Sequence, residues 1–418
     1  MVIPGTDQPE GGRLGRPFRR FCYAALAASC LLAGCGDTAR RQPVIVSDSA
    51  GVTVVDNDEA QGPWTQDTAW RLAATPAVQV GNVPGDSDHA LYRVRHALRL
   101  RNGSIAVANG GLGDVRLYDS VGVHLRTIAM PEDEASEAIR PMRLHELPGD
   151  SLLVFLADRS VAVFDSEGSL ARRSAPLSTD LVSDPPPVLE GILRNGTLLL
   201  RAYPPEDTSG TALARTHVRL LSYALDGAPL GTVGEFDHLT VLRGPGVYVF
   251  GAVGQIAAGD STLWYGRGDR FELREVALDG STRRSVRLNR PLAAVLSVDT
   301  AAYRYAARGE LADTMEERAA GAVVADYRYA DSFPAYAQIV VDDPGNVWVR
   351  AYQWFDLGQP LRWTVFDREG RYLGDLTMPT LMEVQHIGED FVLGRMVDDR
   401  GAEAVYFYPL LKPGLPAG

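Results

Sequence analysis

The chain has 418 residues, 41 Lys+Arg against 53 Asp+Glu and a formal net charge of −12, with 45% hydrophobic and 22% charged residues. That composition excludes a disordered tail, a collagen and a multi-span membrane protein. The acidic balance also argues against nucleic-acid binding, which needs a cationic footprint. Lys412 is the sole lysine, and the many arginines read as a composition bias.

The N-terminus comes first. Arg13, Arg16, Arg19 and Arg20 precede a short apolar run from Phe21 to Leu32. A bilayer-spanning helix needs about 20 apolar residues, so the run is too short to remain as an anchor and has the form of a signal peptide. It ends in Leu32-Ala33-Gly34-Cys35, which resembles the bacterial lipobox. The resemblance implies a signal peptide over residues 1–34, lipid attached to Cys35, and a tether over 35–42. Acyl chains at about 0.8 kcal/mol per buried methylene would hold the protein to a membrane surface. Gly36 after the cysteine resembles the sorting pattern for the outer membrane. Cys22 and Cys30 leave with the signal and Cys35 is consumed by lipid, so the mature chain has no thiol chemistry.

A repeat follows over residues 43–411: a tight turn, an apolar strand, a loop, a second strand, then a turn with Asp and Gly. Its leading glycines are Gly103, Gly149, Gly196, Gly259, Gly345 and Gly388, spaced by 46, 47, 63, 86 and 43 residues. Asn-Gly and Asp-Gly between apolar runs predict hairpins with positive φ at both central positions. With one more strand on each side, every unit has four antiparallel strands. Six such units predict an all-β fold, a six-bladed β-propeller. The last unit ends near Tyr408–Leu410 one strand short, while Trp70–Gly81 has no unit of its own. The N-terminal segment is therefore expected to close the ring, with Val44–Val55 adding a strand at the same seam.

One insertion interrupts the repeat between units four and five, at about residues 291–334. Its Ala-rich run Asp299–Ala325 predicts one or two helices with Asp299 as N-cap. A smaller Gly-rich insertion spans Val241–Gly254, and residues 412–418 form a tail.

The run Ile339-Val340-Val341-Asp342-Asp343-Pro344-Gly345-Asn346-Val347-Trp348-Val349, followed by Val365-Phe366-Asp367-Arg368-Glu369-Gly370, resembles the repeat of six-bladed, NHL-like propellers. Together with the lipobox it resembles the bacterial six-bladed propeller lipoproteins. Such motifs identify architecture, because that fold hosts lactonases, dehydrogenases and pure binding proteins.

Several motifs have ordinary readings. Gly149-Asp150-Ser151-Leu152 spells the opening of a GDSL-type esterase but occupies a hairpin turn, and Arg267-Gly268-Asp269 is a loop between strands. The seven histidines show no pair spaced for zinc, and no phosphate-cradling glycine loop opens a helix. No catalytic residue, metal ligand or cofactor is assigned. A calcium at the ring centre, as in gluconolactonase-type propellers, would need carboxylates from several blades, and no such set aligns.

One constellation stands out. Alignment on the turns places Arg201, Arg267, Arg350 and Arg395 near the ends of second strands, with Arg201-Ala202-Tyr203 matching Arg350-Ala351-Tyr352. In a propeller these ends share a face with the connections between blades. With Tyr203, Tyr352 and Trp354 they could form a mouth for an anionic or sugar-like ligand. Alternatively they pair with Glu310, Asp313, Glu316 and Glu317 and pin the helical segment, which is the preferred reading. The function expected is a membrane-anchored ligand- or protein-binding scaffold at the cell envelope. The alternative is a lactonase-like hydrolase or a sugar dehydrogenase using the central channel.

Overall fold

Strand pairing in a computed structural model gathers the described residues into seven sheets, six of them arranged as propeller blades. The structure describes residues 44–413 except 132–138, 179–182, 184, 206–211, 244–245, 314–315 and 355–357. The signal-like segment, Cys35, the tether and most of the tail lie outside the described residues.

Four strands precede the first blade: β1 (Val44–Ser49), β2 (Val52–Asp58), β3 (Arg71–Leu72) and β4 (Val78–Gly81). Blade one is β5 (Val94–Arg99), β6 (Ile105–Asn109), β7 (Asp114–Tyr118) and β8 (His124–Ala129). Blade two is β9 (Pro141–Leu147), β10 (Ser151–Leu156), β11 (Val161–Phe164) and β12 (Leu170–Arg173). Blade three is β13 (Val188–Ile192), β14 (Leu198–Ala202), β15 (Leu213–Tyr223) and β16 (Pro229–Leu242), followed by the short β17 (Tyr248–Val249). Blade four is β18 (Gln255–Ala258), β19 (Leu263–Gly266), β20 (Glu272–Val276) and β21 (Thr282–Asn289). Helices α1 (Ser297–Ala312) and α2 (Glu317–Ala325) and the short β22 (Arg328–Tyr329) form the insertion. Blade five is β23 (Tyr336–Val341), β24 (Val347–Ala351), β25 (Leu361–Phe366) and β26 (Tyr372–Met378). Blade six has β27 (Glu383–Ile387), β28 (Phe391–Val397) and β29 (Glu403–Leu411), and β4 is its fourth strand.

Each second strand is apolar on both faces because each blade is packed on both sides. In β10, Leu152, Val154 and Leu156 face blade one, whereas Leu153 and Phe155 face blade three. Six apolar layers result, one between each pair of neighbouring blades. Each fully buried Leu, Val or Phe contributes about 1.5–3 kcal/mol.

The turns are more varied than the sequence suggests. At Gly149-Asp150 both residues have positive φ, +77° and +57°, within a three-residue loop, Pro148 to Asp150, between the paired Leu147 and Ser151. At Asn102-Gly103 only the glycine is left-handed. There Gly103 N donates to Leu100 O and Leu100 N to Ser104 O, while the Asn102 side chain accepts from Ser104 N at 2.9 Å. The asparagine thus braces a longer turn without itself taking a positive φ, so positive φ is needed at one position only.

The ring closes as the missing strand requires. Val78–Gly81 pairs antiparallel with Ala404–Phe407, and Val80 enters the layer between blades six and one. The expectation for Val44–Val55 is corrected. Strands β1 and β2 form a hairpin on blade four, where β2 runs parallel to β21. The outer edge of β29 is already occupied by β4 and β3, whereas the edge of β21 was open. From there the chain passes blade five, where Trp64 covers Gly374 so closely that a Cβ would lie 2.3 Å from the indole. It reaches blade six at Trp70, which packs on Trp64 and Trp348 and carries Lys412 over its ring at 4.0 Å.

The helical insertion lies on the face that carries the connections between blades, here the crossover face. Pairing of β17 with β22 ties it to the Gly-rich insertion after blade three. Under the helices, Phe250, Tyr303, Tyr327, Tyr329, Phe333, Tyr352 and Trp354 form a seventh apolar cluster. Asp299 is not the N-cap. It is the third residue of α1, and its carboxylate reaches back to accept Leu296 N at 2.8 Å. Leucine offers no side-chain oxygen, so Asp299 caps from within the first turn.

Candidate functional site

First strands surround the propeller axis, so their side chains decide what the channel can hold. The cavity there has a volume of about 760 Å³ and is lined from all six blades. Five of the six first strands carry a bulge, at Arg95, Met142, Glu190, Ala337 and Gln385. A bulge reverses which side chains face inward, and Arg95, Glu190 and Gln385 accordingly line the channel.

Toward the hairpin-turn face the lining is a belt of ion pairs joining neighbouring blades. Arg101 of blade one binds Glu146 of blade two, whose two carboxylate oxygens accept from Arg101 N at 3.1 Å. Arg194 of blade three meets Asp260 of blade four at 2.7 Å and donates to the Asp343 carbonyl of blade five at 2.6 Å. Asp343 meets His386 of blade six at 3.0 Å, and His386 Nδ1 accepts Arg99 N of blade one. Asp390 of blade six also meets Arg99, at 3.6 Å.

The crossover half holds Arg95, His96, Arg143, Glu190, Gln255, Gln338 and Glu383. Burial holds His96 well below the usual histidine range, with Arg143, His386 and His145 adding repulsion. His145 is lowered to about 4, first by burial and then by Arg143, Arg101 and Arg194. Burial also raises Glu190, against the pull of Arg201 and Arg143. At neutral pH the His96 and His145 imidazoles are therefore uncharged.

The four sequence-selected arginines share the crossover end of their blades but stand one strand behind the lining. Arg201 lies 3.2 Å from Glu190 and over the Tyr203 ring at 5.5 Å. Arg350 donates to the Gln338 side chain at 3.2 Å. Arg395 binds Glu383 and, at 2.7 Å, Glu403. Arg267, 8% exposed, is spent on Asp269 at 3.4 Å and on Thr240 Oγ1 at 2.9 Å. Among the described residues these partners belong to the blades or their connections rather than to the helices. Tyr203 packs with blades three and four and meets His238, whereas Tyr352 and Trp354 pack beneath α1 and α2. The latter two also line a second cleft of about 490 Å³ beside Arg290 and Phe333. The selected set is thus divided between two places.

Sequence reasoning missed the inner ring. Its signal was a polar residue early in the first strand: Arg143, Glu190, Gln255, Gln338 and Glu383. Alignment on second strands passes over them. Among the described residues no three His, Cys, Asp or Glu side chains form a metal-binding group, and no helix is long and apolar enough to cross a membrane.

The chain matches no protein-family model and no curated protein sequence. Solved structures similar to it include a member of the DUF4221 family from Bacteroides vulgatus, at 11% identity and a TM-score of 0.47, covering 83% of this chain and 100% of that one. A gluconolactonase from Xanthomonas campestris is similar at 14% identity and a TM-score of 0.36, over 82% and 90% of the two chains. A virginiamycin B lyase from Staphylococcus aureus is similar at 9% identity and a TM-score of 0.38, over 82% and 100%.

Proposed function

We propose that this propeller is an exported, lipid-anchored binding protein whose central channel receives a small polar molecule from the crossover face. The observation that carries the reading is the channel itself. It is lined by all six blades, falls within the 300–1,000 Å³ range of small-molecule sites, and carries convergent polar groups. The ion-pair belt braces the turn end, and the second-strand arginines orient the acceptors of the crossover half. Anchoring rests on the lipobox-like Leu32-Ala33-Gly34-Cys35, and attachment at the outer membrane on Gly36.

Two measurements test the reading. Cys35→Ser is expected to abolish incorporation of labelled palmitate and to move the protein from the detergent phase to the aqueous phase; retention in the detergent phase would refute the anchor. Gln255→Trp, which fills the channel from blade four, is expected to abolish ligand-induced thermal shifts in a screen of polar metabolites. Unchanged shifts in that variant would remove the channel from consideration.

A further inference from the structure

The ligand class can be argued from charge, on the reading that the channel is the binding site. At its crossover end five guanidiniums, Arg95, Arg143, Arg201, Arg350 and Arg395, meet three carboxylates, Glu190, Glu383 and Glu403. This excess is confined to the crossover end and comes from the three arginines one strand behind the lining, since the whole lining carries eight carboxylates against five guanidiniums.

Pairing decides which guanidinium remains for a ligand. Arg201 is committed to Glu190 and Arg395 to Glu383 and Glu403, while Arg350, which has no carboxylate partner among the described residues, stands one strand behind the lining and donates to the Gln338 amide oxygen. Arg95 is exposed at the mouth. Arg143 lies deep in the cavity, and the one carboxylate acting on it, Glu190, already has Arg201. Beside it, His96 Nδ1 accepts Leu144 N at 3.3 Å, so a neutral imidazole carries its proton on Nε2 as a donor. Across the channel from blade two, Gln338 of blade five offers an amide, and Gln255 of blade four offers another.

We infer that the channel selects a small hydroxylated carboxylate, its carboxylate held by the Arg143 fork and its hydroxyl groups by Gln255 and Gln338. A half-buried guanidinium without its own ion pair is costly, and a forked carboxylate is the partner that matches its geometry. A neutral sugar would leave it unmatched.

The test uses the detergent-solubilised protein and isothermal titration with D-glucuronate and D-glucose, which differ by a carboxylate in place of a hydroxymethyl group. Glucuronate is expected to bind at least tenfold more tightly. Arg143→Gln should weaken glucuronate by roughly ten- to hundredfold, and Arg143→Lys, which keeps the charge, should lose less. Thermal melts establish that both variants are folded. Equal affinity for the two sugars, no glucuronate binding up to 10 mM, or tighter binding of inorganic phosphate than of glucuronate would overturn the carboxylate inference. Glucuronate affinity unaltered in Arg143→Gln or Arg143→Lys would do the same. If glucose binds and Gln255→Trp abolishes it, the channel reading survives that failure; if binding persists in Gln255→Trp, the channel reading itself falls.

Discussion

Asn57 on β2 donates its side-chain amide to the carbonyl of Gly370, at 3.0 Å, in the last turn of blade five. The same side chain donates to Arg287 O at 3.0 Å and accepts Tyr372 N at 2.8 Å, and the residue is 3% exposed. One asparagine therefore joins the N-terminal hairpin to blades four and five. Asn57→Leu would remove a side-chain partner from three backbone groups, at about 1–3 kcal/mol for each one left buried and unpaired. A net loss of about 2–4 kcal/mol is expected in urea denaturation, and a midpoint unchanged from the parent would show that the clasp is idle.

The closing strand makes a stronger demand. A chain starting at Asn82 lacks β4, exposes the edge of β29 and removes Val80 from its apolar layer, so it should aggregate or lose its near-UV circular dichroism. A chain starting at Gly62 keeps β3 and β4 and should remain a destabilised monomer. Gly81→Ala addresses the same seam. That residue has φ +90°, and a Cβ would lie 2.5 Å from Leu91 and 2.9 Å from the Glu403 carbonyl. A native, monomeric protein lacking β4 would contradict the closure.

Arg290 is a hub at the start of the helical insertion. It meets Glu59 at 2.9 Å and Asp375 at 2.8 Å, donates to Thr364 Oγ1 at 2.8 Å, and lies over the rings of Phe271 and Tyr372. Arg290→Met takes the cation from Glu59 and leaves Asp375 with Arg362 alone, at 3.9 Å. Because Glu59 reaches solvent, the expected cost is about 2–3 kcal/mol, below that of a fully enclosed pair. Arg290→Lys should recover part of it, and equal loss in both variants would mean that packing rather than charge is at stake.

Stability should fall as pH drops from 6.5 toward 4.5. His96 and His145 have depressed values in the folded chain, so the unfolded chain takes up their protons first. Each contributes a slope of about 1.4 kcal/mol per pH unit in that window. Glu190 acts in the opposite sense, since its raised value means that its contribution is lost as pH rises through its folded-state value. The depressed histidines, His238 among them, oppose the raised Glu190 and Asp342, and His145→Asn should flatten the profile of urea midpoints. Parallel profiles for parent and variant would refute the assignment.

The blades were legible because their information is local. Each turn glycine, each brace such as Asn102 and each doubly apolar strand acts within one unit of about 45 residues, and the unit left a strand short announces how the ring must close. Three matters were decided only by tertiary structure. The hairpin β1–β2 joined blade four because an open edge was available there, which no periodicity records. The channel brings together His96, His145 and His386 from three blades, and their closeness depends on the ring's curvature. The selected arginines reached the right end of the propeller, yet their partners depend on where bulges turn first-strand side chains. Hydrogen bonding along the chain set the repeat, while packing across it set what each polar side chain meets.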